Sequence, residues 1–193
     1  MTRPGSTLRE RRTQKLLRDA LIELIEERGF EALTVSELTA RAMVSRAAFY
    51  RRYQDKYDLV EQVFDEAMSA LFAAVGELGL EHPTPGWVAF FEHIATYARL
   101  YGALLGRKGS PWFARKMCSA LATLITEHAH PPHGPGILGH VDPDTFAADM
   151  VSALFVEAIT WWLDRGMPYT PREIATRTSL LAAATFKEAS TWR

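Results

Sequence analysis

Basic and aromatic side chains alternate over a short stretch near residue 50. The stretch carries four positive charges, two tyrosines and one carboxylate: Arg46, Tyr50, Arg51, Arg52, Tyr53, Asp55 and Lys56. Basic groups neutralise phosphates, and a tyrosine hydroxyl can donate to a phosphate oxygen while its ring packs on the sugar. The pattern therefore predicts contact with a nucleic-acid backbone; the alternative is a solvated basic face with both tyrosines in the core.

The charge of the chain is divided unevenly along its 193 residues. Residues 1–56 hold 12 Lys+Arg and 8 Asp+Glu, a net of +4, whereas the remainder holds 10 and 15, a net of −5. Such a division suggests an N-terminal part that binds a polyanion and a C-terminal part with another task. A single cysteine excludes an internal disulfide or a zinc cluster built on several cysteines.

Residues 34–53 predict two short helices separated by a tight turn. Thr34 and Glu37 form a capping box that opens the first helix, and Ser45 caps a second helix over about 46–53. This is the geometry of a helix-turn-helix, whose second helix fits the major groove of DNA. Three apolar residues are expected in its core: Leu38, Val44 and Phe49.

The rest of the chain also predicts helices, so the expected fold is all-α, with about nine helices and no strand. The first helix covers about 12–28 and ends at Gly29, a long helix follows over 56–78, and another spans 87–105. Later helices open at Ser110-Pro111, Asp142-Pro143 and Thr170-Pro171, where a capping residue precedes proline at the first helical position.

Other chemistry has little support in the sequence. The loop at 130–142 and its neighbours hold possible metal ligands, but a Pro/Gly-rich loop does not preorganise a tetrahedral site, so a mobile loop without metal is favoured. These ligands are His128, His130, His133, His140, Asp142 and Asp144. Cys118 is expected to be inert core. No catalytic motif or cofactor loop is found, so we expect neither an enzyme nor a cofactor.

The sequence predicts a soluble, cytoplasmic protein that does not enter a membrane. No apolar run reaches the 18 or so residues that span a bilayer. The first residues, MTRPGSTLRERR, lack the apolar stretch of a secretory signal.

The stretch from Thr34 to Leu59 resembles the DNA-binding signature of TetR-family (tetracycline-repressor-like) transcriptional regulators. In that family a Val-Ser turn precedes a recognition helix with an aromatic-Tyr pair, then come another aromatic residue and a Lys that starts the long fourth helix. The matching positions are Val44-Ser45, Phe49-Tyr50, Tyr53, Lys56 and Leu59. The segment 161–169 also resembles the end of the family's penultimate helix.

The resemblance implies an N-terminal three-helix DNA-binding domain over 1–55, joined by a long helix to a ligand-binding and dimerisation domain over 56–193. It implies a ligand-responsive regulator, a repressor released from a palindromic operator in double-stranded DNA by a small hydrophobic molecule. The alternative from another class is a helical interaction module that does not bind DNA.

The resemblance also assigns roles by position. Thr34, Tyr50 and Lys56 are expected to contact phosphates, and Arg51 and Arg52 add positive charge there. Arg46, Ala47 and Ala48 are expected to contact base edges. Ser45 is expected to cap the helix rather than read a base. Two positions depart from the family pattern: Met43 stands in place of the usual glycine, and Arg52 in place of the usual histidine. A positive φ at Met43 would cost about 1 kcal/mol.

The C-terminal part is rich in aromatic residues, and a cleft between its helices is expected to bind the ligand. The candidates that would line it are Phe91, Tyr97, Trp112, Met117, Phe155 and Glu157. For Glu157 three environments stay open: a pocket, solvent, or a pair across a dimer.

The last two helices predict a homodimer interface. Residues 146–163 place apolar side chains on more than one face, and a surface helix needs only one apolar stripe. The final helix offers Leu180, Leu181 and Phe186 beside small alanines. We therefore expect a contact of two helices from each protomer around a dyad.

Overall fold

In a computed structural model the described residues are 8–73, 85–129, 145–189 and 191, and they form nine helices and no strand. The predicted all-α fold is confirmed. The helices are α1 (Leu8–Arg28), α2 (Val35–Arg41), α3 (Arg46–Tyr50), α4 (Lys56–Ala73), α5 (Pro85–Thr96), α6 (Ala98–Leu105), α7 (Pro111–Ala129), α8 (Thr145–Asp164) and α9 (Pro171–Ala189).

The predicted capping residues form the expected hydrogen bonds. In the box before α2, the amide of Glu37 donates to Thr34 Oγ1 at 3.2 Å, and the amide of Thr34 donates to the Glu37 carboxylate at 2.9 Å. Before α9, the amide of Glu173 likewise donates to Thr170 Oγ1 at 3.3 Å, and the amide of Thr170 donates to the Glu173 carboxylate at 2.8 Å. Gly29 adopts a φ of +85° after α1, as its place at a helix C-terminus predicts.

The first three helices pack around a small apolar core that continues into α4. Leu38 and Phe49 are fully buried, and Val44 is half-buried against the same core, as the sequence predicts. The two tyrosines of the basic stretch separate: Tyr53 is 3% exposed, whereas Tyr50 is 56% exposed. The alternative that placed both tyrosines in the core is therefore wrong for Tyr50.

Some predicted helix bounds need correction. α1 begins at Leu8 rather than near residue 12, and α3 ends at Tyr50 rather than near residue 53. The predicted single helix over 87–105 is two helices, α5 and α6, separated at Tyr97. The predicted end of α4 near residue 78, the opening at 142–143 and the histidine-rich loop lie outside the described residues.

The break at Tyr97 coincides with a tertiary contact. The residue has φ −111° and ψ 30°, outside the helical range, although no proline or glycine accompanies it. Its ring lies under the guanidinium of Arg18 from α1, 4.5 Å from the ring centroid. The change of direction lets α6 pack against α1, and thus joins the C-terminal helices to the N-terminal ones.

Large aromatic residues of α5 and α8 fill the core of the C-terminal helices. The ring of Trp87 stacks on Phe155 at 4.5 Å, and Phe91 meets Trp162 edge to face at 5.6 Å. By length and composition α8 is the one described helix that is long and apolar enough to cross a membrane. Because α8 packs against α6, α7 and α9, it has the surroundings of a helix in the core of a folded domain.

Candidate DNA-binding surface

The turn between α2 and α3 is closed by a methionine in the left-handed region. Met43 has a φ of +53° and is 88% exposed, so no packing of its side chain compensates for the conformation. The turn is fixed by backbone bonds, from Met43 to Ala40 at 3.1 Å and from Val44 to Thr39 at 3.0 Å. The positive φ considered from the sequence is therefore present.

Replacing Met43 with glycine is expected to stabilise the protein by about 0.5–1 kcal/mol, because glycine adopts the left-handed conformation without a Cβ clash. The measurement is the free energy of unfolding in urea. Ala40→Gly, at an exposed helical position in α2, is the matched control and should destabilise by about 1 kcal/mol. A loss of stability in Met43→Gly as large as that of the control contradicts strain at this turn.

The N-terminal end and outer face of α3 are open to solvent. Ser45 caps the helix, its Oγ accepting from the amide of Ala48 at 3.1 Å, so the capping role is the one the structure supports. Arg46 and Ala47 are exposed, and the Arg46 guanidinium donates to Ser36 Oγ of α2. One turn later Tyr50 is also exposed. Of the three residues predicted to reach bases, Arg46 and Ala47 are thus exposed and Ala48 is half-buried.

Two of the predicted phosphate contacts are engaged within the protein. The hydroxyl of Thr34 donates to Glu37 Oε2 at 2.8 Å and accepts from the Glu37 amide, so the side chain serves the capping box. Arg52 is half-buried, with its guanidinium 5.9 Å from the ring centroid of Tyr53. When the Gln14 amide is oriented with its oxygen toward Arg52, Nε of the arginine donates to it at 3.1 Å. Arg51, in contrast, is exposed.

Lys56 has a structural role that the sequence does not reveal. Its ammonium donates to the carbonyls of Phe30, Glu31 and Leu33 at 2.8, 3.0 and 3.0 Å, which uses all three donors. It also lies 5.2 Å from the ring centroid of Tyr57. Burial lowers the pKa of Lys56, and the charges of neighbouring carboxylates oppose that shift. This ammonium joins the α1–α2 connection to α4, and the phosphate contact stays a prediction.

The turn between α6 and α7 docks on the same α1–α2 connection. The amide of Phe30 donates to the carbonyl of Lys108 at 3.1 Å, and Lys108 Nζ donates to the carbonyl of Glu26 at 2.8 Å. The hydroxyl of Ser110 donates to Glu31 Oε1 at 3.1 Å. Sequence reasoning assigned no function to Lys108, because a lysine in a Gly-Arg-Lys-Gly turn gives no signal of its partner.

Trp112 completes this contact with aromatic packing. Its ring is parallel to that of Phe30, with centroids 6.4 Å apart, and meets Tyr57 edge to face at 4.7 Å. Trp112, predicted to line a ligand pocket, thus packs at the junction with the N-terminal helices.

Neither the α7–α8 cavity nor the cavity beside Tyr97, both formed by described residues, brings the six predicted ligand-binding residues together. Phe91, Met117 and Phe155 are buried in the core, while Glu157 is exposed. Of its three possible environments, solvent is the one seen in the single chain. A described cavity of about 590 Å³ lies instead between α7 and α8, where Cys118, Asp149 and Ser152 contribute to its walls. Cys118 is half-buried, packs against the core and lines this cavity. Burial raises the pKa of its thiol, which agrees with the predicted low reactivity.

One face of α8 and α9 exposes apolar side chains to solvent. On α8, Phe146 and Met150 are 55% and 46% exposed; on α9, Leu180 and Leu181 are 52% and 54% exposed. Ala153 and Glu157 continue the α8 face at helical spacing and are exposed as well. We call these six residues the α8–α9 face.

Comparison with known proteins identifies the family. The model described as "Bacterial regulatory proteins, tetR family" matches residues 17–63, and the model described as "Transcriptional regulator C-terminal region" matches residues 81–183. The second match covers more than half of the chain. The chain belongs to the TetR family. Members are transcriptional regulators rather than enzymes, generally bind DNA, and are typically homodimers with small-molecule ligands.

Curated TetR-like relatives match mainly the N-terminal part. The uncharacterized HTH-type transcriptional regulator YvkB of Bacillus subtilis is 34% identical over 59 residues, covering 31% of this chain and 31% of that protein. The Tn10 TetC protein of Escherichia coli is 29% identical over 87 residues, or 44% of this chain and 43% of that protein. These matches span less than half the length of either relative.

Solved structures extend the likeness of fold to nearly the whole TetR-family chain. A TetR transcriptional regulator from Streptococcus agalactiae matches with a TM-score of 0.59 and 21% identity, covering 89% of this chain and 94% of that one. The fatty acid degradation regulator FadR of Bacillus halodurans matches with a TM-score of 0.58 and 16% identity, covering 94% and 97%. At these identities the matches describe the fold alone.

Proposed function

We propose that this TetR-family protein is a repressor that binds a palindromic DNA operator as a homodimer and releases it when a small hydrophobic molecule binds. The proposed division places DNA binding in 1–55 and ligand binding and dimerisation in 56–193; the cytoplasm is the proposed location. The observation that carries the DNA-binding role is the exposed face of α3, where Arg46, Ala47 and Tyr50 point away from the core beside the α2–α3 turn.

The side chains on this face suit two kinds of contact. An arginine at the start of a recognition helix can bind guanine O6 and N7 with two hydrogen bonds, and alanine methyl groups can contact thymine methyl groups. Tyr50 and Arg51 are exposed one turn later, where a hydroxyl and a guanidinium meet phosphates. Arg46 leaves its bond to Ser36 when it reads a base.

The α8–α9 face supports the proposed homodimer. Monomeric proteins rarely expose a contiguous apolar surface of several large side chains. A symmetric contact between two copies would cover this surface and hold two α3 helices at a fixed distance, which is what a palindromic site requires.

The α7–α8 cavity supports the ligand response. Its volume of about 590 Å³ is within the usual range for small-molecule sites. Small side chains such as Ala122 and Ala153 leave this space open. A ligand that prefers one arrangement of α7 and α8 shifts the equilibrium by its difference in affinity for the two states, and a few kcal/mol suffice.

Duplex from the protein's own promoter region tests the DNA-binding role. Arg46→Ala is expected to lose preference at one base pair in each half-site, by about 1–3 kcal/mol, whereas Tyr50→Phe should weaken operator and random duplex equally. The measurement is the dissociation constant on operator, single-base variants and random duplex, with salt varied between about 50 and 200 mM.

Two outcomes of this titration contradict the proposal. Equal affinity for promoter and random duplex would favour an interaction module that does not read DNA. An equal loss on all sequences for Arg46→Ala removes its role in base reading. The ligand response has a separate test. A neutral aromatic molecule that raises the thermal midpoint of unfolding should also lower operator affinity; if operator affinity does not change, the proposed ligand response is wrong.

A further inference from the structure

A second, smaller cavity lies where the N-terminal helices meet α4 and the α5–α6 break. Its volume is about 230 Å³. Its walls come from α1, from Tyr53 in the α3–α4 connection, from α4 and from Tyr97. The lining residues used below are Gln14, Arg18, Tyr53, Leu59, Val63 and Tyr97.

The charge of this cavity is positive. Arg11 and Arg18 line it, and among the described lining residues there is no carboxylate. Arg18 is half-buried, and within the part of the chain that the structure describes it forms no ion pair. The adjacent Asp19 pairs with Lys15 at 3.3 Å. A guanidinium withdrawn from water without a counter-ion is unfavourable, so an anion from outside the chain would stabilise this arrangement.

The titratable neighbours do not supply the missing negative charge. Burial lowers the pKa of His93 to about 4, and the charge of Arg18 acts in the same direction, so this histidine is neutral at pH 7. Burial raises the pKa of Tyr53 above its usual value, and the opposing charges of Arg52 and Arg18 only reduce this shift. The phenol is therefore also neutral at pH 7. The positive potential of the cavity therefore persists at neutral pH.

The cavity also has an apolar wall opposite its charged groups. Leu59 and Val63 are buried side chains of α4, and the ring of Tyr97 carries the Arg18 guanidinium on its face at 4.5 Å. Stacking on a ring leaves the N–H groups at the edge of the guanidinium free to bind a carboxylate. The volume accommodates an anionic head with a compact apolar body.

We propose that this junction cavity binds a small organic carboxylate, with the carboxylate on Arg18 and the apolar body against Leu59, Val63 and Tyr97. This site is distinct from the α7–α8 cavity. Because its walls belong to α1, α4 and the α5–α6 break at once, an occupant fixes the position of the N-terminal helices relative to the C-terminal ones. The binding itself is independent of the proposed function; its effect on operator affinity rests on that function.

Calorimetric titration of the full chain with benzoate, at constant ionic strength, tests the binding. We expect saturable binding of benzoate, at least about tenfold weaker binding of the neutral isostere benzamide, and a similar loss in Arg18→Met, because a charge-assisted bond is removed in each case. Arg99→Met is the matched control, since Arg99 is an exposed arginine paired with Glu26 at 3.6 Å; it should bind benzoate as the parent does.

The proposal is overturned by absence of saturable benzoate binding, by equal binding in Arg18→Met, or by tighter binding of inorganic phosphate than of benzoate. Duplex DNA without benzoate gives a further test. If the slope of log DNA affinity against log salt falls by about one charge in Arg18→Met, the guanidinium binds a DNA phosphate and the carboxylate site is wrong. If benzoate binds as expected but operator affinity does not change, the site stands and only its coupling to DNA fails.

Discussion

Lys56→Met is expected to lower the free energy of unfolding by about 2–3 kcal/mol, because three hydrogen bonds from a charged donor are lost. The three acceptors are the carbonyls of Phe30, Glu31 and Leu33. The Phe30 carbonyl keeps only the longer bond from the Leu33 amide, at 3.4 Å. Methionine keeps an unbranched apolar side chain beside Phe30 and Tyr57. The measured loss of stability is therefore due to the removal of the ammonium group. The measurement is urea unfolding at constant pH.

The matched control for this change is Lys15→Met. Lys15 pairs with Asp19 at 3.3 Å, and its side chain is 74% exposed, so its loss should change stability by no more than about 0.5 kcal/mol. A second readout separates structure from DNA contact. DNA affinity is measured at a temperature where the variant is folded, and the slope of log affinity against log salt should equal that of the parent protein. A slope reduced by about one charge would show that Lys56 contacts a DNA phosphate, as the sequence predicts.

The double variant Met150→Glu/Leu180→Glu is expected to be a monomer at micromolar concentration and to bind operator at least about 100-fold more weakly. The two residues belong to the two helices of the α8–α9 face and are 46% and 52% exposed. The introduced carboxylates of two protomers repel each other across the dyad, so the dimer dissociates. Each monomer then binds its half-site independently, without the high effective concentration that a bound partner provides. Sedimentation equilibrium and operator titration measure the two effects.

Leu8→Glu is the control for the double variant in sedimentation. Leu8 is 87% exposed, but it lies at the start of α1, outside the α8–α9 face. The control should leave the oligomeric state unchanged. If the double variant sediments as the parent protein does, dimerisation through this face is refuted.

The sequence was informative wherever a structure depends on neighbouring residues. Capping boxes at Thr34 and Thr170, the end of α1 at Gly29 and the left-handed Met43 each involve a few consecutive positions, and all are present. The family signature likewise located the exposed face of α3, since its pattern lies within one short segment.

The sequence was uninformative where a side chain's environment depends on distant segments. The partners of Lys56 lie 23 to 26 residues away, and their carbonyls converge only after α4 packs on the α1–α2 connection. The break at Tyr97 has no local signal such as a proline or glycine, and the contact that accompanies it is with Arg18 of the distant α1. The predicted ligand residues separated because the rotation of each helix decides which side chains face a common space, and periodicity alone does not give that rotation.

The docking of the α6–α7 turn on the α1–α2 connection has a consequence for synthesis on the ribosome. Ser110 and Glu31 are 79 positions apart, so the helix-turn-helix is made long before the residues that hold it. At bacterial elongation rates, the interval between Lys56 and Trp112 is about 3–10 s. During that time Phe30 and Tyr57 lack the indole that later packs on them. In a nascent chain, the N-terminal helices are therefore fully fixed only when the C-terminal helices begin to emerge.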